Sequence, residues 1–285
     1  MDENKSILRD QTLLTGSSGF LGSIINRCSE DKLLTLGRSY KDILKTNLTE
    51  EIPILPNNVS KVIHCMGLAH FEPKTNQESN YFFKVNYDAT VNLTKAIDEH
   101  CENLKQFIFI SSVSVYGQNS QKTLISKNDE TLPDTPYGES KLCAENFLKN
   151  WANDKNISLL ILRLPLVIGK NSKGNLGKMI KYLEKGLFFL INKGKAKKSM
   201  VLAEDIARLV LSSSINRGTY ILTDNYHPSF FELTNFITKQ LKLKKPKMIS
   251  NLIAFPLAIV GSFLPMSPIN LRIFNNLNKT LIFSD

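Results

Sequence analysis

The chain has 285 residues, 42% of them apolar and 22% charged, a balance that excludes a disordered or collagen-like polymer and allows a sizeable buried core. Its formal net charge of +10 is concentrated in KGKAKK (193–198) and KLKKPK (242–247), but neither run is interleaved with aromatics or set in a recognition-helix pattern, so no nucleic-acid partner is implied. Cys28, Cys65, Cys101 and Cys143 form no CxxC pair and the histidines lack metal-ligand spacing, which excludes a zinc ribbon or redox couple and leaves reduced, mostly buried thiols as the expectation.

The opening MDENKSILRD is charged and is not followed by an apolar segment with a small-residue cleavage site, so a cytoplasmic location is expected. A short strand over Thr12–Thr15 leads into Gly16, Gly19 and Gly22, and a helix is expected to start near Phe20. The next strand covers Leu33–Leu36. Only nine residues separate Arg38 from Leu48, enough for a turn or two of helix, so the second crossover is abbreviated. Strands follow at Lys61–Cys65, Gln106–Ser111 and Ser158–Arg163, with helices at Asn80–His100 and Tyr137–Trp151 between them. This alternation predicts an α/β fold, a doubly wound parallel sheet with helices on both faces.

Residues 1–170 are assigned to that sheet domain, with part of 199–225 returning to it, and 171–285 to a smaller, partly interleaved lobe. In the latter region helices are expected at Asn175–Lys185, Ala203–Ser213 and Phe230–Leu241, with short strands near Met200 and Tyr220. Met248–Leu271 carries no charge over 24 residues, long enough to raise the question of a membrane span. Asn251, Pro256 and Gly261 interrupt it, which favours a buried helix of the second lobe over contact with a bilayer.

The three glycines of TGSSGFLG sit where a strand turns into a helix. Gly16 permits the turn, Gly19 lets the backbone approach a pyrophosphate, and Gly22 lets the helix pack closely. Taken alone, the spacing fits a plain tight turn equally well. A second signal is Tyr137 with Lys141, the single YxxxK of the chain, which puts a phenol and an ammonium on one helix face. A neighbouring cation favours the phenolate of a group whose free pKa is about 10. Upstream, the serine-rich strand end FISSVSVYG presents Ser112 at the carboxyl edge of the sheet, where α/β proteins place ligands.

In order and spacing, TGSSGFLG, VIHCMG, FKVNYDAT, FIFISSVSVYG, PYGESK and LRLPLVIG resemble the extended short-chain dehydrogenases/reductases. Over roughly residues 10–225 the chain is similar to their NAD-dependent epimerase/dehydratase family, which modifies nucleotide sugars. The resemblance implies a Rossmann-type domain with a substrate-binding lobe. It makes Tyr137 the acid/base, Lys141 its pKa-lowering partner and nicotinamide-ribose ligand, and Ser112 the donor to the reacting oxygen, with Ser114 also facing substrate. Gly16, Ser18, Gly19, Phe20, Leu21, Gly22, Cys65, Met66, Gly67 and Pro165 would line the cofactor, and Asn86 would stand behind the site. Asn175 and Lys198 would meet the diphosphate of a nucleotide-diphosphate sugar, although an ammonium at 198 cannot give the bidentate contact of an arginine. No metal is implied, and a homodimer through the helices at 80–100 and 137–151 is.

Several residues depart from the family pattern. Val113 and Ser114 stand where sugar dehydratases have an Asp-Glu pair, which disfavours dehydration, and Leu166 stands near an asparagine common in epimerases. Arg38 replaces the acid that usually meets the ribose of NAD, leaning the reading from NAD to NADP. A UDP-hexose or UDP-N-acetylhexosamine 4-epimerase, an NADPH-dependent 4-ketoreductase of surface-polysaccharide synthesis and a non-catalytic dinucleotide-binding protein stay open on these residues.

Overall fold

The computed structural model describes residues 10–69, 71–117, 122–170, 174–212, 217–264, 267 and 269–285, with Asn175 described by its backbone alone. In chain order the elements are β1 (Gln11–Thr15), α1 (Phe20–Cys28), β2 (Leu34–Gly37), β3 (Leu44–Lys45), β4 (Val59–His64), α2 (Asn76–Phe83), α3 (Ala89–His100), β5 (Gln106–Ser112), β6 (Leu124–Ser126), α4 (Pro136–Asp154), β7 (Ser158–Leu164) and β8 (Leu166–Ile168). They continue with α5 (Gly174–Glu184), β9 (Phe189–Ile191), β10 (Met200–Leu202), α6 (Ala203–Leu211), β11 (Gly218–Ile221), α7 (Phe230–Gln240), β12 (Lys247–Ile249), α8 (Asn251–Phe263), α9 (Leu271–Asn278) and β13 (Ile282–Ser284). Two compact units result, Met1–Asn119 with Asn128–Leu164 and Leu202–Leu222, and Ser120–Lys127 with Pro165–Val201 and Thr223–Asp285.

The first unit is built on a seven-stranded sheet in the order β11-β7-β5-β4-β1-β2-β3, parallel throughout. Its inner strands are predominantly apolar because both faces are covered: all but the first residue of β5 is buried. Under α3 and α4 lies a core that includes Leu13, Leu93, Phe107, Phe109, Leu148 and Trp151. From β1 the chain winds one way to β2 and β3, and the other way through β4, β5 and β7. The strand order therefore reverses between β1 and β4, the switch point beyond whose strand ends α/β sheets bind ligands.

Two expectations need correction in this unit. The passage after Arg38 contains no helix; a two-residue strand, β3, instead extends the sheet edge with Leu44 opposite Leu36. The expected helix over 80–100 starts at Asn76 and is interrupted by a π-helical segment, Lys84–Asp88. A capping box fixes the start: Thr75 Oγ1 accepts the Glu78 N–H, and the Glu78 carboxylate accepts the Thr75 N–H. The π segment adds a residue to the turn and carries Asn86, which is 1% exposed.

In the second unit, β8 pairs with β10, β9 with β12 and β6 with β13. Leu176, Met179, Leu183 and Ile237 form one apolar cluster, and Ile191, Ala254, Ala258 and Phe274 another. The helix expected to run to Ser213 ends at Leu211, where Ser212 turns to an extended conformation as its C-cap; Ser213 lies outside the described residues. The uncharged stretch at 248–271 does not form a buried helix. Only Ala254, Ala258 and Gly261 of α8 are buried, because these small residues form a narrow inward stripe and the large side chains point outward. Among the described residues no helix is long and apolar enough to cross a membrane. The thiols are also less buried than expected: Cys28 and Cys143 are exposed.

Candidate active site

The turn after β1 meets the chain leaving β4. Gly16 has φ +73°, and a Cβ on it would lie 2.8 Å from the Met66 nitrogen and 2.9 Å from the Cys65 carbonyl carbon. A Cβ on Gly22 would lie 2.1 Å from the Gly16 oxygen, so α1 packs directly on the turn. Gly19 is the N-cap of α1, with no side-chain cap and no acid in the first turn. Ser18 and Gly19 are exposed, while Phe20 and Leu21 are partly so. First-turn N–H groups without a side-chain partner, at a helix end carrying partial positive charge, fit an anion such as a dinucleotide pyrophosphate. Gly22→Ala is expected to destabilise the protein by about 1–3 kcal/mol through this backbone clash and to weaken dinucleotide binding, as a thermal melt and calorimetric titration would read.

At the end of β2, Arg38 is exposed. Sequence reasoning missed its neighbour Asp42, which is 5% exposed and curls back against the strand end. The Asp42 carboxylate accepts from the Ser17 hydroxyl and from the Ser39 N–H at 3.0 Å, and a Cβ on Gly37 would lie 2.6 Å from it. The clip joins the turns after β1 and β2 and places a carboxylate near the strand end where Arg38 was expected to decide the cofactor.

Ser112 ends β5, and its oxygen accepts the Ser114 N–H at 3.1 Å, capping a short 3₁₀ turn over Val113–Tyr116. Tyr137 and Lys141 lie one turn apart in α4, which starts at Pro136 behind the N-cap Thr135. Burial holds the Tyr137 phenol above its ordinary pKa, with the Ser112 hydroxyl opposing the shift. Lys141 is not among the causes of that shift. The Lys141 ammonium instead donates to the Ile110 carbonyl at 2.9 Å and lies 4.6 Å from the Phe109 ring centre. Burial lowers its pKa to about 8, with Cys65 and Glu145 opposing the shift. A Cβ on Gly67 would lie 3.0 Å from this ammonium and 3.1 Å from Asn86 Oδ1, so the chain after β4 runs tight against both.

Behind these groups lies a chain of satisfied polar contacts. Asn86 accepts the Leu68 N–H at 2.7 Å and donates to Ser140 Oγ at 2.9 Å, and Ser140 donates to the Tyr137 carbonyl at 2.9 Å. Thr90 donates to the Asn86 carbonyl and so accepts from His64 Nε2 at 3.0 Å, leaving His64 Nδ1 to accept from Thr15 at 2.6 Å. This inventory makes His64 a neutral strut, and burial with the nearby Lys141 charge drives its pKa down to about 3. Sequence reasoning also missed Glu145, two turns beyond Tyr137 on the same face of α4. It is fully buried and receives Ser111 Oγ at 2.5 Å and Arg163 Nη2 at 2.6 Å.

The remaining sequence candidates belong to the second unit: Pro165 joins β7 to β8, Asn175 lies in the first turn of α5, and Lys198 precedes β10. Lys198 is half-buried, and burial together with the Lys279 charge lowers its pKa to about 8. An anion beside it would relieve both effects.

A parallel sheet with a glycine turn at its switch point and a Ser–Tyr–Lys group at the next strand end defines an α/β protein of dinucleotide-binding type. Residues 12–214 match the NAD dependent epimerase/dehydratase family. The chain is 30% identical over 261 residues to the UDP-glucose 4-epimerase of Vibrio cholerae, covering 82% of this chain and 76% of that protein. It is 26% identical over 274 residues to the N-acetyl-alpha-D-glucosaminyl-diphospho-ditrans,octacis-undecaprenol 4-epimerase of Escherichia coli, covering 90% and 79% respectively. Among solved structures, the UDP-N-acetylglucosamine 4-epimerase of Methanobrevibacter ruminantium in complex with UDP-N-acetylmuramic acid superposes with a TM-score of 0.70 at 22% identity, covering 97% of this chain and 93% of that one. The UDP-glucose 4-epimerase of Thermus thermophilus in complex with NAD gives 0.69 at 18% identity, covering 84% and 85%. The chain belongs to the NAD dependent epimerase/dehydratase family and is an enzyme of the extended short-chain dehydrogenase/reductase type.

Proposed function

We propose that the enzyme interconverts the C4 epimers of a UDP-linked hexose or N-acetylhexosamine through a transient 4-keto sugar. The observation that carries this reading is the convergence of Ser112, Tyr137 and Lys141 at the end of β5, beside Gly67 and braced by Asn86. Gly16, Gly19 and Gly22 would hold the dinucleotide's pyrophosphate at the start of α1, and Met66 and Gly67 would flank its nicotinamide half. An oxidised nicotinamide held there would supply the acceptor for a hydride from the sugar carbon, and would return it once the keto sugar presents its opposite face. Tyr137 removes the proton from the C4 hydroxyl and gives it back, Ser112 donates to the same oxygen, and Lys141 binds the ribose and steadies the phenolate. On the resemblance, Asn175 and Lys198 are the residues assigned to the substrate's diphosphate.

Asp42 favours NAD over NADP in this reading, because a carboxylate near the adenosine ribose opposes a 2′-phosphate. On that basis Arg38→Ala leaves NAD affinity within about twofold, since an exposed arginine away from the pyrophosphate contributes little; a tenfold or greater loss confined to NADPH would instead assign it to a 2′-phosphate. The exposed Arg38 is the observation that favours the second reading, a 4-ketoreductase. Incubation with UDP-glucose or UDP-N-acetylglucosamine and a trace of NAD, followed by anion-exchange separation of the sugars, decides between them. Epimer formation without net change in reduced nicotinamide supports the epimerase. Stoichiometric NADPH consumption with a 4-keto sugar, and no epimer, overturns it.

A further inference from the structure

The outward face of α8 has a composition that water does not favour. Leu252 is 87% exposed and Phe263 83%, with Ile253, Leu257, Val260 and Leu264 each more than half exposed. These side chains surround the inward stripe of Ala254, Ala258 and Gly261, so they form a continuous apolar surface rather than scattered single residues. The stripe is tightly seated, since a Cβ on Gly261 would lie 1.9 Å from the Ile269 carbonyl oxygen. The helix cannot rotate to bury its large residues without breaking that contact.

The charge beside the helix is one-sided. Lys242, Lys244, Lys245 and Lys247 are all exposed on the segment that leads into α8, and no acidic residue occurs between Glu232 and Asp285. From these two observations we infer that α8 and the lysines before it form a monotopic contact with an anionic lipid surface. The helix has 13 residues, and at 1.5 Å per residue this gives roughly 20 Å against about 30 Å of hydrocarbon. It therefore lies in the plane of the interface, its apolar side chains entering the acyl boundary and the lysines meeting lipid phosphates. A second copy docked on this face would bring up the same lysines with no acid to offset them, whereas an anionic headgroup layer offsets them directly. The inference goes beyond the proposed reaction and does not depend on which sugar is bound.

Flotation tests it with the full chain, mixed with vesicles of phosphatidylcholine alone or with phosphatidylglycerol added. The protein is expected to float with the mixed vesicles and to remain at the bottom with phosphatidylcholine. Leu252→Ser with Phe263→Ser, both outside the packed stripe, is expected to abolish flotation while leaving the thermal melt unchanged. Replacing the four lysines by glutamine is expected to lower partitioning about a hundredfold or more. Wild-type protein that stays at the bottom with every vesicle, or a serine variant that floats as well as wild type, overturns the inference. So does sedimentation showing a wild-type dimer that the serine variant converts to monomer, since a second copy then covers the face.

Discussion

Tyr137→Phe is expected to lower turnover by about 10²–10⁴-fold, the usual contribution of a positioned general acid/base, with little change in fold or dinucleotide affinity. The ring keeps its place because its packing does not use the hydroxyl: it meets Phe82 at 6.1 Å between centroids, and its backbone carbonyl accepts from Ser140. What the variant loses is the oxygen proposed to move the proton. The pH profile gives an independent check. In the proposed mechanism Lys141 carries the charge that steadies the phenolate, and burial lowers its pKa to about 8. A group with a depressed pKa loses its proton as pH rises through that lower value, so the rate is expected to fall above about pH 8. Lys141→Arg, whose side chain stays charged, is expected to remove that alkaline limb even where it lowers the rate. Flat activity through this range in the wild-type enzyme would count against the ammonium's role.

The central strands of the parallel sheet were legible because each is mostly buried and is written as a short, predominantly apolar run. The glycine turn was legible for a related reason, since only a residue without a Cβ fits between β1, α1 and the chain after β4. The start of α2 could have been read from TNQE, a capping box that the apolar pattern outweighed. The π segment was out of reach: it depends on Asn86 finding Leu68 and Ser140, which are distant in sequence. Asp42 was missed because its place follows from a turn, not from a repeat. The orientation of α8 was obscured because large apolar residues cover most of its circumference. The small residues at 254, 258 and 261, spaced at helical intervals, were the signal available.

Glu145→Ala is expected to cost about 3–5 kcal/mol of folding stability, a large share of the 5–15 kcal/mol usual for a domain. Glu145 and Arg163 are fully or almost fully buried and paired through Nε and Nη2, with Arg163 Nη1 donating to the Tyr116 hydroxyl at 2.7 Å. Removing the carboxylate leaves a guanidinium in the core with Tyr116 as its principal partner, and it leaves the Ser111 hydroxyl without its acceptor. The cost comes from that stranded charge more than from the worth of the pair. Replacing both residues by apolar ones, Glu145→Leu with Arg163→Met, is accordingly expected to recover most of the loss in a denaturant titration. Glu145 also stands one turn beyond Lys141, and its negative charge opposes the lowering of that ammonium's pKa. Glu145→Gln keeps the shape and removes the charge, so the alkaline limb of the rate profile is expected to move to lower pH. A limb that stayed in place while stability fell would make Glu145 a packing residue alone, whereas movement of both would tie the buried ion pair to the chemistry of Tyr137.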